Sequence, residues 1–362
     1  MKPLLIIAAG GTGGHMFPAQ ALAETMLERG WDVRLSTDER GARYSGGFPP
    51  QVERQVLSAG TFARGGLSKL KAPFQIVGGV ITAILRMHRE QPACVIGFGG
   101  YPAFPAMTAA WLLKRPRLVH EQNGVLGKVN EIFAKRVPVV ACGTWPTQLP
   151  EGVRGIHTGN PIRGAVLERS AAPYTPPGDW PLSVLVIGGS QGASILSNVV
   201  PAALASLPED LRSRLTISHQ ARPADADAVN LAYGNAGIRA EVQPFFEDVP
   251  ARMAEAQLVI SRSGASSVAD ISAIGRPSIL VPLAIAKRGE QAANAQGLAE
   301  AGGAVVLTED EFDAQTLASA AESILTDGNL AAQMATAALS LGVPDAADQL
   351  ADLVESVAAE PA

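Results

Sequence analysis

The sequence predicts an α/β protein made of two Rossmann-like halves, each a parallel sheet covered by helices, and two observations carry that expectation. One is a pair of glycine-rich turns, Gly10-Gly11-Thr12-Gly13-Gly14-His15 and Gly188-Gly189-Ser190-Gln191-Gly192-Ala193, each ending an apolar run and opening a helix-like segment. The other is the run of strand-like segments around them, which lack period-two alternation, as strands buried on both faces require. A strand feeding a glycine turn into a helix offers backbone N–H groups and the positive helix end to an anion, so the pair predicts two phosphate-handling sites.

In order, strands are expected near 3–9, 32–37, 94–98, 117–121 and 137–142, with helices such as Pro18–Arg29 and Ala103–Lys114 between them. Prolines at 173, 176, 177 and 181 mark an exposed start of the second half. Strands recur near 182–187, 214–218, 258–261, 278–281 and 304–307, followed by helices from Asp313 onward. The expected division is a first domain over 1–163, a second over 164–343, and a last helix, 344–362, returning to the first.

At 362 residues, 47% hydrophobic and 17% charged, the chain has material for two full cores. A net charge of −5 argues against nucleic acid as a partner. Between Arg64 and Arg89, however, Lys69, Lys71 and Arg86 occur with no acidic residue. Cys94 and Cys142 sit among small or β-branched apolar residues and read as buried thiols in a reducing cytoplasm. The apolar N-terminus breaks at Gly10 and reads as a buried strand. The run 76–85 carries Gly78 and Gly79 and is far shorter than the roughly 20 residues of a spanning helix.

Neither glycine turn completes a dinucleotide fingerprint, since counting from Gly11 the third glycine position is Met16. The first turn instead carries His15 at the helix entry, where a neutral imidazole can take a proton from a hydroxyl nucleophile. Asp225-Ala226-Asp227 matches a metal-holding Asp-x-Asp pattern literally, but it follows Gln220-Ala221-Arg222-Pro223 and reads as a solvated helix start. The histidines at 15, 88, 120, 157 and 219 lack metal-ligand spacing, so neither a protein-held metal nor a cofactor is expected.

The two turns, together with Gly99-Gly100-Tyr101-Pro102, His120-Glu121-Gln122-Asn123, Gly159-Asn160-Pro161-Ile162-Arg163 and Ser261-Arg262-Ser263-Gly264-Ala265, closely resemble the MurG family of N-acetylglucosaminyltransferases. The resemblance runs in order from residue 4 to about 349. It implies a GT-B fold, two Rossmann-like parallel-sheet domains with an interdomain cleft. The implied reaction moves GlcNAc from UDP-GlcNAc to the C4 hydroxyl of MurNAc in undecaprenyl-pyrophosphoryl-MurNAc-pentapeptide (lipid I), giving lipid II with inversion in peptidoglycan synthesis. Implied alongside are the cytoplasmic face of the bacterial inner membrane as location, and proteins of cell-wall synthesis or division as partners.

By resemblance, Thr12, Gly13 and Gly14 face the acceptor diphosphate, and Ser190, Gln191 and Gly192 hold the donor diphosphate. His15 is the expected base, with Glu121, Tyr101 and Asn130 as further candidates for acceptor positioning or proton handling. Asn123 and Arg163 match positions near the sugar nucleotide, the backbone of Phe246 one that meets uracil, and Gln291 one that reads GlcNAc hydroxyls. Ala265 belongs to the donor motif, while Arg262 reads equally as an interdomain salt-bridge partner.

Three positions depart from the family pattern. Asp270 stands for the usual ribose-binding glutamate, Ser197 for an asparagine, and Arg288-Gly289-Glu290 precedes Gln291 in place of an Asp- or His-containing stretch. Leu67, Lys69, Lys71, Phe74 and Trp111 suggest a peripheral contact with an anionic membrane surface. Other readings on the same fold are a transferase for another lipid acceptor, a UDP-GlcNAc 2-epimerase, or a nucleotide-sugar sensor without turnover.

Overall fold

A computed structural model of the chain describes residues 2–11, 13–42, 45–56, 67–189, 193–284 and 288–360, with the side chains of Arg40, Ser45 and 67–74 outside the description. The chain divides into two compact units, Met1–Arg163 with Asp345–Ala362, and Gly164–Pro344.

The first unit runs β1 (Leu4–Ala8), α1 (Gly13–Glu28), β2 (Asp32–Thr37), α2 (Glu39–Ala42), β3 (Glu53–Val56), α3 (Leu67–Glu90), β4 (Cys94–Gly97), α4 (Ala103–Leu112), β5 (Arg117–Glu121), α5 (Lys128–Ala134), β6 (Val140–Cys142) and β7 (Gly155–His157). Its seven strands are all parallel in the order β3-β2-β1-β4-β5-β6-β7. Side chains alternate between two cores along the central strands. Leu5, Ile7 and Ile96 pack toward α1, and Ile6, Ala8 and Val95 toward the opposite face with Ala103, Met107 and Phe133.

The second unit runs α6 (Gly164–Leu167), β8 (Leu182–Ile187), α7 (Ser194–Ala205), α8 (Glu209–Arg212), β9 (Leu215–Gln220), α9 (Pro223–Asn235), β10 (Arg239–Gln243), α10 (Val249–Glu255), β11 (Leu258–Ser261), α11 (Ala265–Ile274), β12 (Ser278–Leu280), α12 (Glu290–Glu300), β13 (Ala304–Val306), α13 (Ala314–Thr326) and α14 (Gly328–Ser340). Its six strands are parallel in the order β10-β9-β8-β11-β12-β13. The last helix, α15 (Ala346–Ala359), packs on the first unit, burying Leu350, Ala351, Val354 and Val357 in the α1-side core. Arg29 fastens it by ion pairs of 2.9, 2.6 and 3.0 Å to Asp348, Asp352 and Glu355.

Both sheets reverse their strand order beside the first strand of the unit, between β1 and β4 and between β8 and β11. In open α/β sheets such reversal points leave a crevice at the carboxyl ends of the strands, where ligands bind.

Two details differ from the sequence expectation. Strands β3, β7 and β10 were not foreseen; β3 and β10 read Glu-Arg-Gln-Val and Arg-Ala-Glu-Val-Gln, and all three lie at sheet edges, where half the surface meets water. Helix α1 begins at Gly13, ahead of the expected Pro18, which lies within it. The proline-rich segment lies at the surface as expected, and its backbone is tied down: Arg276, 1% exposed, donates to the carbonyls of Ala172 and Pro173, and Gln257 donates to that of Thr175.

Candidate active site

In the first unit, the reversal point gathers the turns that follow β1, β4 and β5. They approach so closely that a Cβ at Gly10 would lie 2.7 Å from the Pro102 ring. Gly99 and Gly100, at φ of 88° and 72°, turn the chain away from β4 in the left-handed region that favours glycine. A Cβ on Gly99 would meet the Asn130 Nδ2 at 3.2 Å and the His15 Nε2 at 3.4 Å, so the histidine, the asparagine and this turn share one spot.

His15 lies in the first turn of α1 and keeps a partly exposed edge. The protein packed about its ring pulls it below the usual imidazole range, opposed by the Glu121 charge and by donation to the Gly10 carbonyl. Its resting form near neutrality is the neutral ring, which is able to accept a proton.

Glu121, 1% exposed at the end of β5, has its carboxylate fully engaged. Oε1 accepts from the Asn123 backbone N at 3.1 Å and the Asn123 Nδ2 at 2.9 Å; Oε2 accepts from the Gly127 N at 2.8 Å and the Asn130 Nδ2 at 2.9 Å. Four donors on two oxygens make this group a clamp on the loop 122–127. Asn130 also donates to the His120 carbonyl at 3.0 Å, while its Oδ1, buried, has no protein partner.

Behind this layer His120 is fully buried. The Gln122 Nε2 donates to its Nδ1 at 3.1 Å, which fixes the tautomer so that Nε2–H donates to the Gly159 carbonyl at 3.3 Å. Burial pushes this imidazole down to about 4. Gln122 reaches the Phe98 carbonyl as well, tying together the loops that follow β4, β5 and β7. Arg163 is drawn to the same unit, its guanidinium 4.6 Å from the centre of the Phe17 ring on α1. Asn123 also belongs here, and Tyr101 is exposed just before α4. Thr12 lies outside the described residues; Gly13 is buried and Gly14 exposed at the start of α1.

In the second unit, Ser190, Gln191 and Gly192 lie outside the described residues. In chain order they follow β8 and precede α7, and Ala265 opens α11. Phe246 is 3% exposed beneath the Arg252 guanidinium, which lies 4.3 Å from its ring centre. Asp270 is half-buried on α11. The Gln291 Oε1, at the start of α12, accepts from the Leu283 N at 3.0 Å. Arg262 pairs within its own unit, with Glu309 at 2.6 Å. Ser197 is buried and its Oγ has no protein partner. Asp225, in the first turn of α9, is paired with Arg222 at 2.8 Å. Among the described residues, no group of three or more His, Cys, Asp or Glu side chains is placed to hold a metal ion. Both cysteines are buried thiols, and burial pushes that of Cys94 up to about 12.

Of the expected membrane residues, the side chains of Leu67, Lys69, Lys71 and Phe74 lie outside the description, and Trp111 is 42% exposed at the end of α4, with the Arg136 guanidinium 5.4 Å from its ring centre. Missed from the sequence were Ile81 and Leu85, which extend Val77 into a stripe on α3, all three more than half exposed, although their i, i+4, i+8 spacing announces one helical face. Among the described residues, no helix is long and apolar enough to cross a membrane.

Two units, each a parallel sheet whose strand order reverses beside its first strand, give a two-Rossmann architecture, and the matching family models make the protein a glycosyltransferase. Residues 5–142 match the glycosyltransferase family 28 N-terminal domain and residues 183–350 the glycosyltransferase family 28 C-terminal domain. A relative from Phenylobacterium zucineum, named UDP-N-acetylglucosamine--N-acetylmuramyl-(pentapeptide) pyrophosphoryl-undecaprenol N-acetylglucosamine transferase, is 46% identical over 99% of both chains. The crystal structure of Acinetobacter baumannii MurG superposes with a TM-score of 0.80 at 30% identity, covering 98% of this chain and 100% of that one. A putative UDP-N-acetylglucosamine 2-epimerase from Listeria monocytogenes, at 14% identity and a TM-score of 0.70 over 98% and 96% of the two chains, shares the fold alone. The chain belongs to the MurG family of glycosyltransferase family 28.

Proposed function

We propose that this chain transfers GlcNAc from UDP-GlcNAc to the C4 hydroxyl of MurNAc in lipid I, releasing UDP and forming lipid II with inversion. The observation that carries the reading is the neutral, partly accessible imidazole of His15 at a glycine turn, in a chain that matches named transferases of this reaction end to end.

In the proposed mechanism the first unit takes the acceptor and the second the donor. His15 removes the C4 hydroxyl proton as the oxygen attacks the anomeric carbon, and the bond from that carbon to the diphosphate breaks with its electron pair leaving on UDP. Glu121, with its acceptor positions filled, serves as a positioning residue that holds Asn123, Gly127 and Asn130 in place. The turn 188–193, followed by the helix α7, stabilises the leaving diphosphate through backbone N–H groups and the helix dipole. Gln291 meets the sugar and Asp270 the ribose.

We also place the protein at an anionic membrane surface through α3, α4 and α5. Exposed Val77, Ile81, Leu85 and Trp111 lie there on α3 and α4, with exposed Arg86 and Arg89 on α3 and exposed Lys114, Lys135 and Arg136 just past the ends of α4 and α5. UDP release measured with and without a lipid I analogue tests the central reading. Acceptor-dependent UDP with a β-linked disaccharide product is expected, and UDP-ManNAc formed without acceptor would overturn it in favour of epimerisation.

A further inference from the structure

A primary amide presents an acceptor at one end and two donors at the other, so which end faces a ligand depends on what holds the opposite one. For Gln291, among the described residues, that hold is the Leu283 backbone N–H, which meets Oε1 at 3.0 Å. Leu283 lies in the segment that leaves β12, and this segment is fastened in turn by Arg262, whose Nη1 donates to the carbonyls of Val281 at 3.1 Å and Pro282 at 3.2 Å. The guanidinium is 8% exposed, and its other nitrogen, Nη2, rests 2.6 Å from the Glu309 Oε1. The adjoining Ser263 secures the helix side of the same arrangement: its hydroxyl donates to the Gln291 carbonyl at 2.8 Å, and its own carbonyl accepts from the Asn294 Nδ2 at 3.1 Å.

We propose that the Arg262–Glu309 pair is a positioning device that sets the polarity of the Gln291 amide, holding its oxygen inward and turning its amino group toward the hydroxyls of the donor sugar. The assignment rests on the donor role proposed for Gln291 and goes beyond it. Glu309 acts through the buried cation: it keeps the Arg262 guanidinium in place, the cation keeps the carbonyls of 281 and 282 in place, and these keep the Leu283 N–H aimed at Oε1. Once released, the amide turns either end outward, and part of its hydrogen bonding to the sugar is lost while the diphosphate and uracil contacts are untouched.

Calorimetric titration of the full chain with UDP-GlcNAc and with UDP tests this, using the wild type, Glu309→Gln, Gln291→Ala and the double variant. Glu309→Gln is expected to weaken UDP-GlcNAc about five- to tenfold, the size of one hydrogen bond, with UDP affinity unchanged. In the Gln291→Ala background it is expected to add nothing, because the group through which it acts is gone. Arg262→Lys, which keeps the charge but not the forked geometry, is expected to reproduce the same sugar-selective loss. Equal losses in both backgrounds, or UDP weakening in step with UDP-GlcNAc, would overturn the assignment while leaving the donor site standing. Failure of the wild type to bind UDP-GlcNAc would overturn the donor reading and the assignment together.

Discussion

His15 and His120 lie close together, yet the structure gives them different work. His120 is enclosed with both nitrogens engaged, whereas His15 keeps an accessible edge beside Gly99 and Asn130. His15→Ala should therefore lower turnover by roughly 10²- to 10⁴-fold while UDP-GlcNAc affinity holds, as loss of a general base does. Because burial lowers the His15 pKa, the acid limb of kcat/KM should fall below the ordinary imidazole value of 6.5. A limb above that value, or near-normal turnover of the variant, would remove His15 from the role. His120 and His219 have a different consequence. Both sit at about 4 when folded against 6.5 unfolded, so as pH falls below 6.5 the unfolded chain takes up protons first and stability is lost. The loss from pH 7 to pH 5 should be roughly 2 kcal/mol for each histidine. Urea midpoints at the two pH values measure it, and an unchanged midpoint would exclude it. The glycine turns and His15 were legible in the sequence because a local spacing encodes them. The partners of Glu121 and Arg262 were not, since those contacts join residues brought together only by the sheet.

Among the elements, the central strands were readable because burial on both faces demands continuous apolar runs, and the edge strands β3, β7 and β10 escaped because theirs are short or polar. Helix α3 shows the same limit from the other side. Its glycines at 78 and 79 and its apolar content hid a 24-residue helix whose outward stripe of Val77, Ile81 and Leu85 has no core to join. Replacing those three with serine should release the protein from anionic vesicles while transfer to a short-chain soluble acceptor persists. Burying a Val, Ile or Leu side chain is worth about 1.5–3 kcal/mol, and half that per residue still amounts to roughly 50-fold or more in partitioning for the three. Sedimentation with vesicles decides between this face and another: undiminished binding of the triple variant would mean that the stripe does not meet the membrane.

For the whole molecule, charge is divided between the units. The first carries 19 Lys and Arg against 15 Asp and Glu, a formal +4, and the second 10 against 19, a formal −9. The proposed attraction to an anionic bilayer therefore falls to the first unit, and vesicle binding should weaken as added salt shortens the screening length. The first unit is also closed by the Arg29 cluster on α15. With Arg29 one-quarter exposed and its three partners more so, Arg29→Ala should cost about 1 kcal/mol. The urea midpoint reports it, and no change would mean that the apolar face of α15 alone holds the helix.

That helix also sets an order of events at the ribosome. Residues 346–359 complete a core that includes Leu5, so the apolar surface of the early strands waits for α15 to emerge before it is covered. The second unit, contiguous from Gly164 to Pro344, has all its parts earlier. Domains usually mature in the order of synthesis; here the later-made one finishes first. Arrested nascent chains lengthened step by step should then show protease resistance spreading from the second unit to the first, with the final gain appearing only when α15 is out.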